Sequence, residues 1–405
     1  MTPAARVQSA IDLLDAIILA AKEGGAAADT IATRFFKERR YAGSGDRRAI
    51  RELVWRAIRR FGKAPDTARS AFVALADEDE ALADLFTGEE RAPYAIKHDE
   101  PRATGGVMPK WLLPLLDARI GGKGGNAAEI EALLSRAPLD LRINRARAEG
   151  TEFPAGDPLP APLDGLRLAG DTPVLDSAAW LYGAIEVQDA GSQLISWACA
   201  AKPGMTVIDL CAGAGGKTLA LAAQMDLATG SESGGRLIAC DTDRRRIQQL
   251  PPRADRAGAE GIETRLLNPG EEAAALADLA GRADVVLVDA PCSGSGTWRR
   301  NPEARWRLTH ARLARLQAEQ ARLLDIAAPL VAKGGSLVYA VCAITRSEGE
   351  EQVSAFMARQ KGWSIDDPFP GSPAARLGRA AGVGRLLTPH HDSTDGFFLV
   401  RLRAG

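Results

Sequence analysis

From about residue 182 onward, short apolar segments rich in β-branched residues alternate with segments that have helical spacing. This alternation predicts a parallel sheet with helices on both faces, because parallel strands need a crossover connection between them. The predicted strands lie at 206–210, 236–240, 262–267, 284–289 and 336–341, with a closing strand at 397–402. In open α/β sheets, ligands bind beyond the carboxyl ends of the strands. The residues that follow these strands are therefore the first candidates for a functional site.

Two sequence signals place the helices around the last parallel strand. A helix is predicted from about residue 309 to 332, since Lys333-Gly-Gly is typical of a helix C-terminus. The next helix is predicted to open at Thr345, because Thr345-Arg-Ser-Glu348 has the spacing of a capping box.

The first part of the chain is organised differently. Residues 1–130 have apolar side chains at helical spacing, as in Val7, Ile11, Leu14 and Ile18, and predict a helical domain. Residues 131–180 predict a small connecting subdomain, since 139–143 alternates like a strand. The glycine-rich run at 121–125 marks a hinge or helix end. Residues 181–405 then form the α/β domain, and a length of 405 residues agrees with two or three domains.

Charge along the chain is uneven although the net charge is only −1. Between Arg34 and Lys63 there are 11 Lys or Arg against three acids, and a second basic stretch runs from Arg299 to Arg322. Basic patches of this kind are typical of surfaces that bind a phosphate backbone. A solvated helix face explains either stretch equally well when it is taken alone, because Arg is a good helix former. Two such stretches in one chain favour RNA or DNA as a partner.

The composition excludes several other classes of protein. Five cysteines without a Cys-x-x-Cys pair and only four histidines predict no metal site and no disulfide framework. Asp12 and Asp15 interrupt the only apolar stretch near the N-terminus, so no signal peptide is expected. No segment reaches ~18 uninterrupted apolar residues, which predicts no membrane span. We expect a cytoplasmic monomer.

Two of the cysteines stand where a predicted strand ends. Cys292 lies in Asp289-Ala-Pro-Cys-Ser-Gly, directly after the strand at 284–289, and Cys342 follows the strand at 336–341. A free cysteine is most often a small buried hydrophobe, and this interpretation suits Cys199 and Cys240. Two thiols at the ligand-binding edge of one sheet instead favour covalent chemistry.

The segment Leu210-Cys-Ala-Gly-Ala-Gly-Gly-Lys-Thr218 joins a predicted strand to a predicted helix. A glycine-rich turn in this position lets the backbone approach a ligand closely. A dinucleotide fingerprint fails because Thr218 occupies its third glycine position, and a phosphate-binding loop fits only in Gly216-Lys-Thr218, since Cys211 replaces its first glycine. S-adenosyl-L-methionine is the third candidate, with Asp241 after the second strand as the acid for the ribose hydroxyls.

The paired thiols suit methylation of cytosine. Carbon 5 of cytosine is too electron-poor to accept a methyl group until a thiolate attacks carbon 6, and a thiolate is both a good nucleophile and an acceptable leaving group. After methylation, a second group is needed to help the carbon 5 proton leave, so that the covalent bond between the base and the enzyme can break. Asp289 is placed to hydrogen-bond the edge of the base, with Lys217 near enough to orient it. A base inside a helix would have to be flipped out.

The motifs resemble those of the RNA (cytosine-5) methyltransferases of the Sun/Nop type. The resemblance rests on Asp289-Ala-Pro-Cys-Ser-Gly-Ser-Gly-Thr with Arg300-Asn-Pro-Glu303, on Cys211-Ala-Gly-Ala-Gly-Gly-Lys-Thr218, and on Val187-Gln-Asp-Ala-Gly-Ser-Gln193 and Asp395-Gly-Phe-Phe398. It covers residues 138–405. It implies a Rossmann-like methyltransferase domain in which Cys342 is the nucleophile and Cys292 helps to release the product. It also implies that the S-adenosylmethionine contacts are Cys211, Ala212, Gly213, Ala214, Gly215, Gly216, Lys217, Asp241, Asn268 and Asp289.

The N-terminal part resembles a second domain. Asp46-Arg-Arg and Glu52-Leu-Val-Trp-Arg-Ala-Ile-Arg59 are similar to the NusB-like RNA-binding domain that precedes the catalytic part in bacterial enzymes acting on small-subunit ribosomal RNA. The resemblance therefore implies an all-α NusB-like domain, a small α+β connecting subdomain and the α/β catalytic domain in that order. It favours ribosomal RNA as the substrate, with transfer RNA as the second choice.

Three positions depart from the family pattern. Val341-Cys342-Ala343 replaces the usual Thr-Cys-Ser, Ala214 replaces a proline, and Asn268 stands where an acid is expected near the adenine. Two alternatives to a methyltransferase stay open at this point. The first is a phosphate-loop nucleotide triphosphatase, suggested by Gly216-Lys-Thr218. The second is a non-catalytic RNA-binding factor, suggested by the basic stretches and the hydroxyls lost beside Cys342.

Overall fold

The computed structural model describes residues 1–116, 120, 127–228 and 234–405. The chain divides into two compact units, Met1–Gly125 with Thr297–His310, and Asn126–Gly296 with Ala311–Gly405. The predicted boundaries at residues 130 and 180 stay predictions, and the predicted break at 121–125 lies outside the described residues. No helix within the described ranges is long and apolar enough to cross a membrane.

The first unit is helical, as predicted. Its helices are α1 (Pro3–Glu23), α2 (Ala28–Glu38), α3 (Ser44–Arg60), α4 (Ala68–Ala76) and α5 (Glu80–Ala83). Helix α1 begins at Pro3 because the Thr2 side chain accepts a hydrogen bond from the N–H of Ala5, and it ends at Glu23, before Gly24, whose φ of 74° suits glycine. The helices bury one apolar cluster that includes Leu14, Val54, Ile58, Phe61 and Phe72.

The segment 297–310 packs in the first unit, although the chain on either side of it belongs to the second. Buried Arg305 donates from Nη2 to the carbonyl oxygens of Ile58 (2.6 Å), Arg59 (2.8 Å) and Phe61 (3.2 Å). These carbonyls lie at the C-terminal end of α3, where helical carbonyls have no partner within the helix. Arg305 therefore satisfies a helix end and is not available to a phosphate.

Two residues near Arg305 form hydrogen bonds at two other helix ends of this unit. Arg307 donates to the carbonyl oxygens of Ala20 (3.2 Å) and Gly25 (2.7 Å), at the end of α1. Oε1 of Glu303 accepts the N–H of Ala28, the first residue of α2, at 3.0 Å. A carboxylate at a helix N-terminus is stabilising, and so is a cation at a C-terminus. The second basic stretch of the sequence is thus in part a structural element.

The second unit contains the remaining helices and the strands that lie within the described residues. The helices are α6 (Ala127–Leu134), α7 (Ala178–Leu181), α8 (Ala190–Ala198), α9 (Gly216–Gln224), α10 (Arg244–Ile247), α11 (Leu250–Ala257), α12 (Glu272–Ala275), α13 (His310–Ala327), α14 (Glu350–Arg359) and α15 (Pro389–Asp392). The strands are β1 (Leu139–Ile143), β2 (Asp157–Pro158), β3 (Gly165–Leu168), β4 (Ile185–Val187), β5 (Thr206–Asp209), β6 (Arg236–Asp241), β7 (Ile262–Leu266), β8 (Ala283–Asp289), β9 (Val331–Val341), β10 (Trp363–Asp366), β11 (Arg379–Ala381), β12 (Gly384–Leu387) and β13 (Phe397–Ala404).

These strands form two sheets. A small antiparallel sheet has the order β2-β3-β1-β4. The large sheet has the order β11-β12-β13-β9-β8-β5-β6-β7, and β10 pairs with β13. Strands β9, β8, β5, β6 and β7 run parallel, which confirms the predicted α/β class. The strand order reverses beside β5, so a ligand site is expected at the carboxyl ends of β5, β6 and β8.

Both helix boundaries predicted around β9 were wrong. Helix α13 ends at Ala327, and Lys333 to Gly335 lie inside β9, which begins at Val331 because it pairs with Ala283 across a bulge. Helix α14 begins at Glu350 rather than at Thr345. Thr345 and Glu348 do bond to each other, from Oγ1 to Oε2 at 2.6 Å, but between side chains and outside any helix.

Candidate active site

Three loops meet at the carboxyl edge of the parallel strands. The loop after β5 is held by the N–H of Leu210, which donates to the carbonyl of Leu287 in β8 at 2.9 Å. The N–H of Ala290, just past β8, donates to the carbonyl of Ala340 in β9 at 2.9 Å. Gly296 donates in the same way to the carbonyl of Cys342 at 3.0 Å. The ladder of hydrogen bonds in the sheet therefore continues into the loops and fixes the distances between them.

The two predicted thiols are brought into contact. The sulfur atoms of Cys292 and Cys342 lie 3.2 Å apart, and both side chains are half-buried. The hydrogen bond with Cys342, together with burial, raises the pKa of Cys292 well above its usual value. The raised pKa favours the protonated form of Cys292, and either sulfur can be the donor in the hydrogen bond between them. One thiol of the pair is left to act as the nucleophile.

Lys217 and Asp289 form an ion pair at the same edge. Nζ of Lys217, at the start of α9, lies 2.7 Å from Oδ2 of Asp289, at the end of β8. Burial alone would lower the pKa of Lys217, but the Asp289 carboxylate more than offsets it and raises that pKa. Nζ also lies 5.7 Å from the centroid of the Phe397 ring, which adds a cation–π contact. Lys217 stays charged and holds Asp289 in one orientation.

The glycine loop is shaped as a ligand cradle. Gly213 has φ 57° and Gly215 has φ 86°, and a Cβ at either position would clash with Arg246 or Leu250. A Cβ at Gly216 would instead meet no atom within 4 Å, so the first turn of α9 faces open space. An open helix N-terminus with its glycines is suited to a carboxylate or a polar group of a ligand.

Asp241 holds this loop from the end of β6. Its Oδ2 accepts the N–H of Gly213 at 2.7 Å, and its Oδ1 accepts the N–H of Asp243 at 2.7 Å. Each carboxylate oxygen can accept more than one hydrogen bond, so both can still accept a hydrogen bond from a hydroxyl group. The open space above Gly216 and this carboxylate together leave room and polar groups for a cofactor such as S-adenosylmethionine.

The other predicted loop residues have structural contacts. The N–H of Ala212 donates to the carbonyl of Cys240 at 2.8 Å, and the carbonyl of Ala214 accepts from Arg253. Burial, and then the charge of Asp209, raise the pKa of Cys211 well above its usual value, so this thiol lines the loop without reacting. Asn268 is exposed two residues after β7, and its amide donates to Glu271 at 3.0 Å. Within the described residues, no hydrogen bond joins Asn268 to another predicted site residue.

A phosphate-binding loop does not fit this geometry. The Thr218 hydroxyl is fully buried and donates to Oδ2 of Asp209 at 2.7 Å, so it cannot reach a magnesium ion. Burial raises the pKa of Asp209 to about 7, and its Oδ1 has no hydrogen-bond partner among the described residues. Lys217 is likewise directed to Asp289 rather than left free for a phosphate.

Sequence reasoning missed Glu348, Gln320 and Arg253. Glu348 was interpreted as part of a capping box, yet its carboxylate binds Ser293, the residue after Cys292. Gln320 lies in the middle of α13 and donates to the carbonyl of Pro291, the residue before Cys292, at 2.9 Å. No motif marks Gln320 or Arg253, and only the fold brings them to these loops.

Comparisons with known proteins agree on one family. The family model described as 16S rRNA methyltransferase RsmB/F matches residues 197–403. The probable ribosomal RNA small subunit methyltransferase B of Synechocystis sp. is 34% identical over 73% of this chain and 66% of that protein. The ribosomal RNA small subunit methyltransferase B of Xylella fastidiosa (strain 9a5c) is 32% identical over 73% of this chain and 68% of that protein. In the first two relatives the match spans 66% of the relative's length.

Solved structures agree on the fold. The crystal structure of PH0851 has a TM-score of 0.74 at 23% identity and covers 99% of both chains. A methyltransferase homologue from Pyrococcus horikoshii has a TM-score of 0.56 at 24% identity, covering 69% of this chain and 90% of its own.

Proposed function

Because this chain belongs to the 16S rRNA methyltransferase RsmB/F family, we propose that it methylates carbon 5 of a cytosine in small-subunit ribosomal RNA. The cofactor is S-adenosyl-L-methionine, held by the glycine loop and Asp241. The observation that carries the proposal is the contact between Cys292 and Cys342, 3.2 Å apart beside the Lys217–Asp289 pair. Two cysteines that only packed together would need neither this ion pair nor an open glycine loop. Methylation of cytosine uses the pair of thiols, the ion pair and the glycine loop.

The first step forms a bond between Sγ of Cys342 and carbon 6 of the base. The Cys342 thiolate attacks, and the electron pair of the carbon 5–carbon 6 double bond moves into the ring toward nitrogen 3. Asp289 holds that edge of the base, and the charged Lys217 beside it stabilises the negative charge that develops there. Carbon 5 is now nucleophilic and would take the methyl group that bound S-adenosylmethionine supplies, with S-adenosylhomocysteine as the leaving group.

The second step releases the product. The proton on carbon 5 passes to water, the double bond reforms, and the bond between carbon 6 and Sγ of Cys342 breaks with its electron pair on sulfur. Cys292 retains its proton, because the hydrogen bond to Cys342 and burial both raise its pKa. Its S–H is therefore placed to donate to the departing thiolate and to stabilise it. The sulfur of Cys342 is thereby released from the base, and the pair can react again.

The first unit offers a surface for the RNA. A cleft of about 690 Å³ is lined by Thr33, Phe36, Lys37, Arg40, Arg47 and Arg51. Thr33 and Lys37 lie one turn apart on α2, Arg40 follows the end of that helix, and Arg47 and Arg51 lie one turn apart on α3. No carboxylate lines the cleft in the part of the chain that the structure describes. Four cations line the cleft, and although Arg51 is also ion-paired with Asp29 at 3.0 Å, this concentration of positive charge suits a phosphate backbone. We propose that the protein is cytoplasmic and that it acts as a monomer.

Methyl transfer to defined RNAs tests this proposal. The full chain is incubated with methyl-labelled S-adenosylmethionine and a transcript of small-subunit ribosomal RNA, and labelled positions are mapped by bisulfite sequencing. The expected result is 5-methylcytosine in the ribosomal transcript and background label in transfer RNA. Label confined to transfer RNA, or saturable ATP binding in place of cofactor binding, would overturn it. Neither alternative is favoured by the family membership.

A further inference from the structure

The carboxylate of Glu348 is fully buried and makes four hydrogen bonds that the reaction scheme does not use. Oε1 accepts the N–H of Ser293 at 2.7 Å and the amide of Gln320 at 3.1 Å. Oε2 accepts the hydroxyls of Ser293 and Thr345, each at 2.6 Å. A buried carboxylate is costly unless donors surround it, and here each oxygen receives two. Such a complete set of donors keeps the side chain in one orientation.

Glu348 and Gln320 together hold both residues that flank Cys292. Ser293 is bound to Glu348 through its backbone and its side chain. On the other side, Nε2 of Gln320 donates to the carbonyl of Pro291 at 2.9 Å as well as to Glu348. The peptide units before and after Cys292 are therefore fixed to one buried pair of side chains.

The same carboxylate is tied to the segment that carries Cys342. Thr345, three residues beyond Cys342, donates to Oε2 of Glu348. The hydroxyl of Tyr339, in β9, donates to the carbonyl oxygen of Glu348 at 2.7 Å. A third link joins the loops directly, since the N–H of Ile344 donates to Oγ of Ser295 at 3.0 Å. Glu348 thus connects the loop of Cys292 to the end of β9.

This connection matters because the two sulfurs must stay aligned while the product leaves. A misplacement of about 1 Å at a reacting centre can cost about 100-fold in rate. The position of Cys342 is set by the sheet, whereas Cys292 lies on a loop of Pro, Ser and Gly residues. Glu348 and Gln320 bind the residues on either side of Cys292, so without them the S–H of Cys292 would be held less firmly toward Cys342.

We propose that Glu348 is a positioning residue that fixes Cys292 against Cys342 and so sets the rate at which the methylated RNA is released. The inference rests on the proposed function, and it adds a residue that acts on the release step and not on the attack. Glu348 also acts on Cys292 through its charge. The hydrogen bond to Cys342 and burial contribute most to the raised pKa of Cys292, and the negative charge of Glu348 raises that pKa further.

The test compares Glu348→Gln with Glu351→Gln, the same chemical change at an exposed residue three positions on. The glutamine keeps the volume of Glu348, but an NH₂ group replaces one carboxylate oxygen. That NH₂ group cannot accept the hydrogen bonds that the oxygen accepted. Each full-length variant is incubated with S-adenosylmethionine and end-labelled ribosomal transcript, then run on a denaturing gel. Cys292→Ala is run alongside as the reference for a blocked release. Circular dichroism and cofactor titration report folding and cofactor binding.

We expect Glu348→Gln to bind cofactor as the wild type does and to accumulate covalent protein–RNA adduct, with release slowed about 10- to 100-fold. Glu351→Gln should release normally. Normal release by folded Glu348→Gln, or a loss of methyl transfer with no adduct, would overturn the inference. If Glu348→Gln fails to fold, Thr345→Val decides in its place, since it removes one of the four donors and should slow release to a smaller degree. Absence of adduct in Cys292→Ala itself would refute the proposed function instead.

Discussion

The sulfur atoms of Cys292 and Cys342 are 3.2 Å apart although 50 residues separate them in the chain. Their meeting follows from the sheet, because β8 and β9 are neighbours in parallel register and each cysteine lies just past the end of its strand. The hydrogen bond between them, together with burial, raises the pKa of Cys292. The proposed function assigns the attack on the base to Cys342.

Removing the charge of Asp289 should change the titration of Lys217. In Asp289→Asn, burial is no longer offset by the carboxylate, so we expect the pKa of Lys217 to fall below its ordinary value of 10.5. Nuclear magnetic resonance of labelled lysine side chains measures this, with the exposed Lys202 as an internal control. An unshifted Lys217 would show that Asp289 does not sustain its charge.

Removing Lys217 should slow the chemical step. Lys217→Met keeps the apolar stem but leaves Asp289 without its partner, and loss of one such stabilising group costs about 100- to 1,000-fold in kcat. Single-turnover methyl transfer at saturating cofactor measures the loss. An unchanged kcat with a raised KM would assign Lys217 to binding alone.

Stability should fall with rising pH because of Asp209. Burial raises the pKa of Asp209 to about 7, from an ordinary value of 3.8. Between these two values the folded protein holds a proton that the unfolded chain has lost, so the free energy of unfolding decreases as pH rises. Asp209→Asn cannot ionise and should show a smaller drop in melting temperature between about pH 5 and 7.5 than the wild type. The exposed Asp176→Asn serves as control, and equal slopes in both variants would contradict the assignment.

The basic cleft of the first unit should control the salt dependence of RNA binding. Charge reversal at Lys37 and Arg40 removes two phosphate contacts, and the slope of log K against log salt should fall by about 1.5. Lys22→Glu with Lys63→Glu makes the same change of net charge at exposed positions outside the cleft. Filter binding of the ribosomal transcript compares the two. If both pairs change the slope equally, long-range charge and not the cleft binds the RNA.

Arg305 should be required for the stability of the first unit. Its pKa is lowered to about 9 by burial and by the nearby Arg59, so it is still charged at neutral pH and donates to the end of α3. Arg305→Ala leaves those carbonyls unsatisfied and should cost about 2–4 kcal/mol in the free energy of unfolding. Urea denaturation measures the cost against Arg315→Ala, an exposed arginine of the same basic stretch. A stability equal to that of the control would contradict a structural role.

The sequence predicted what depends on local pattern. Buried β-branched runs located β5, β6, β7 and β8 to within a residue or two, because both faces of a parallel strand are covered. The boundaries around β9 could not be predicted, since Lys333-Gly-Gly serves a helix end and a bulged strand equally well. The pairing in the sheet, and not the local sequence, decides between these two.

The site also contains residues that the sequence could identify and residues that it could not. Cys292, Cys342, Asp289 and Lys217 could be selected because each follows a strand or opens a helix at the ligand edge. Glu348 could not, because Thr-x-x-Glu has the spacing of a capping box and only its burial reveals the other bonds. The basic stretch around Arg305 shows charge in the sequence, but only the packing shows that the end of α3 takes up this arginine.

Trapping of the covalent intermediate tests the central claim most directly. Wild type, Cys342→Ala and Cys292→Ala are each incubated with S-adenosylmethionine and labelled ribosomal transcript, and protein-bound RNA is quantified on a denaturing gel. We predict a stable adduct with Cys292→Ala, no adduct and no methyl transfer with Cys342→Ala, and full turnover with the wild type. Methyl transfer by Cys342→Ala at the wild-type rate would contradict the account.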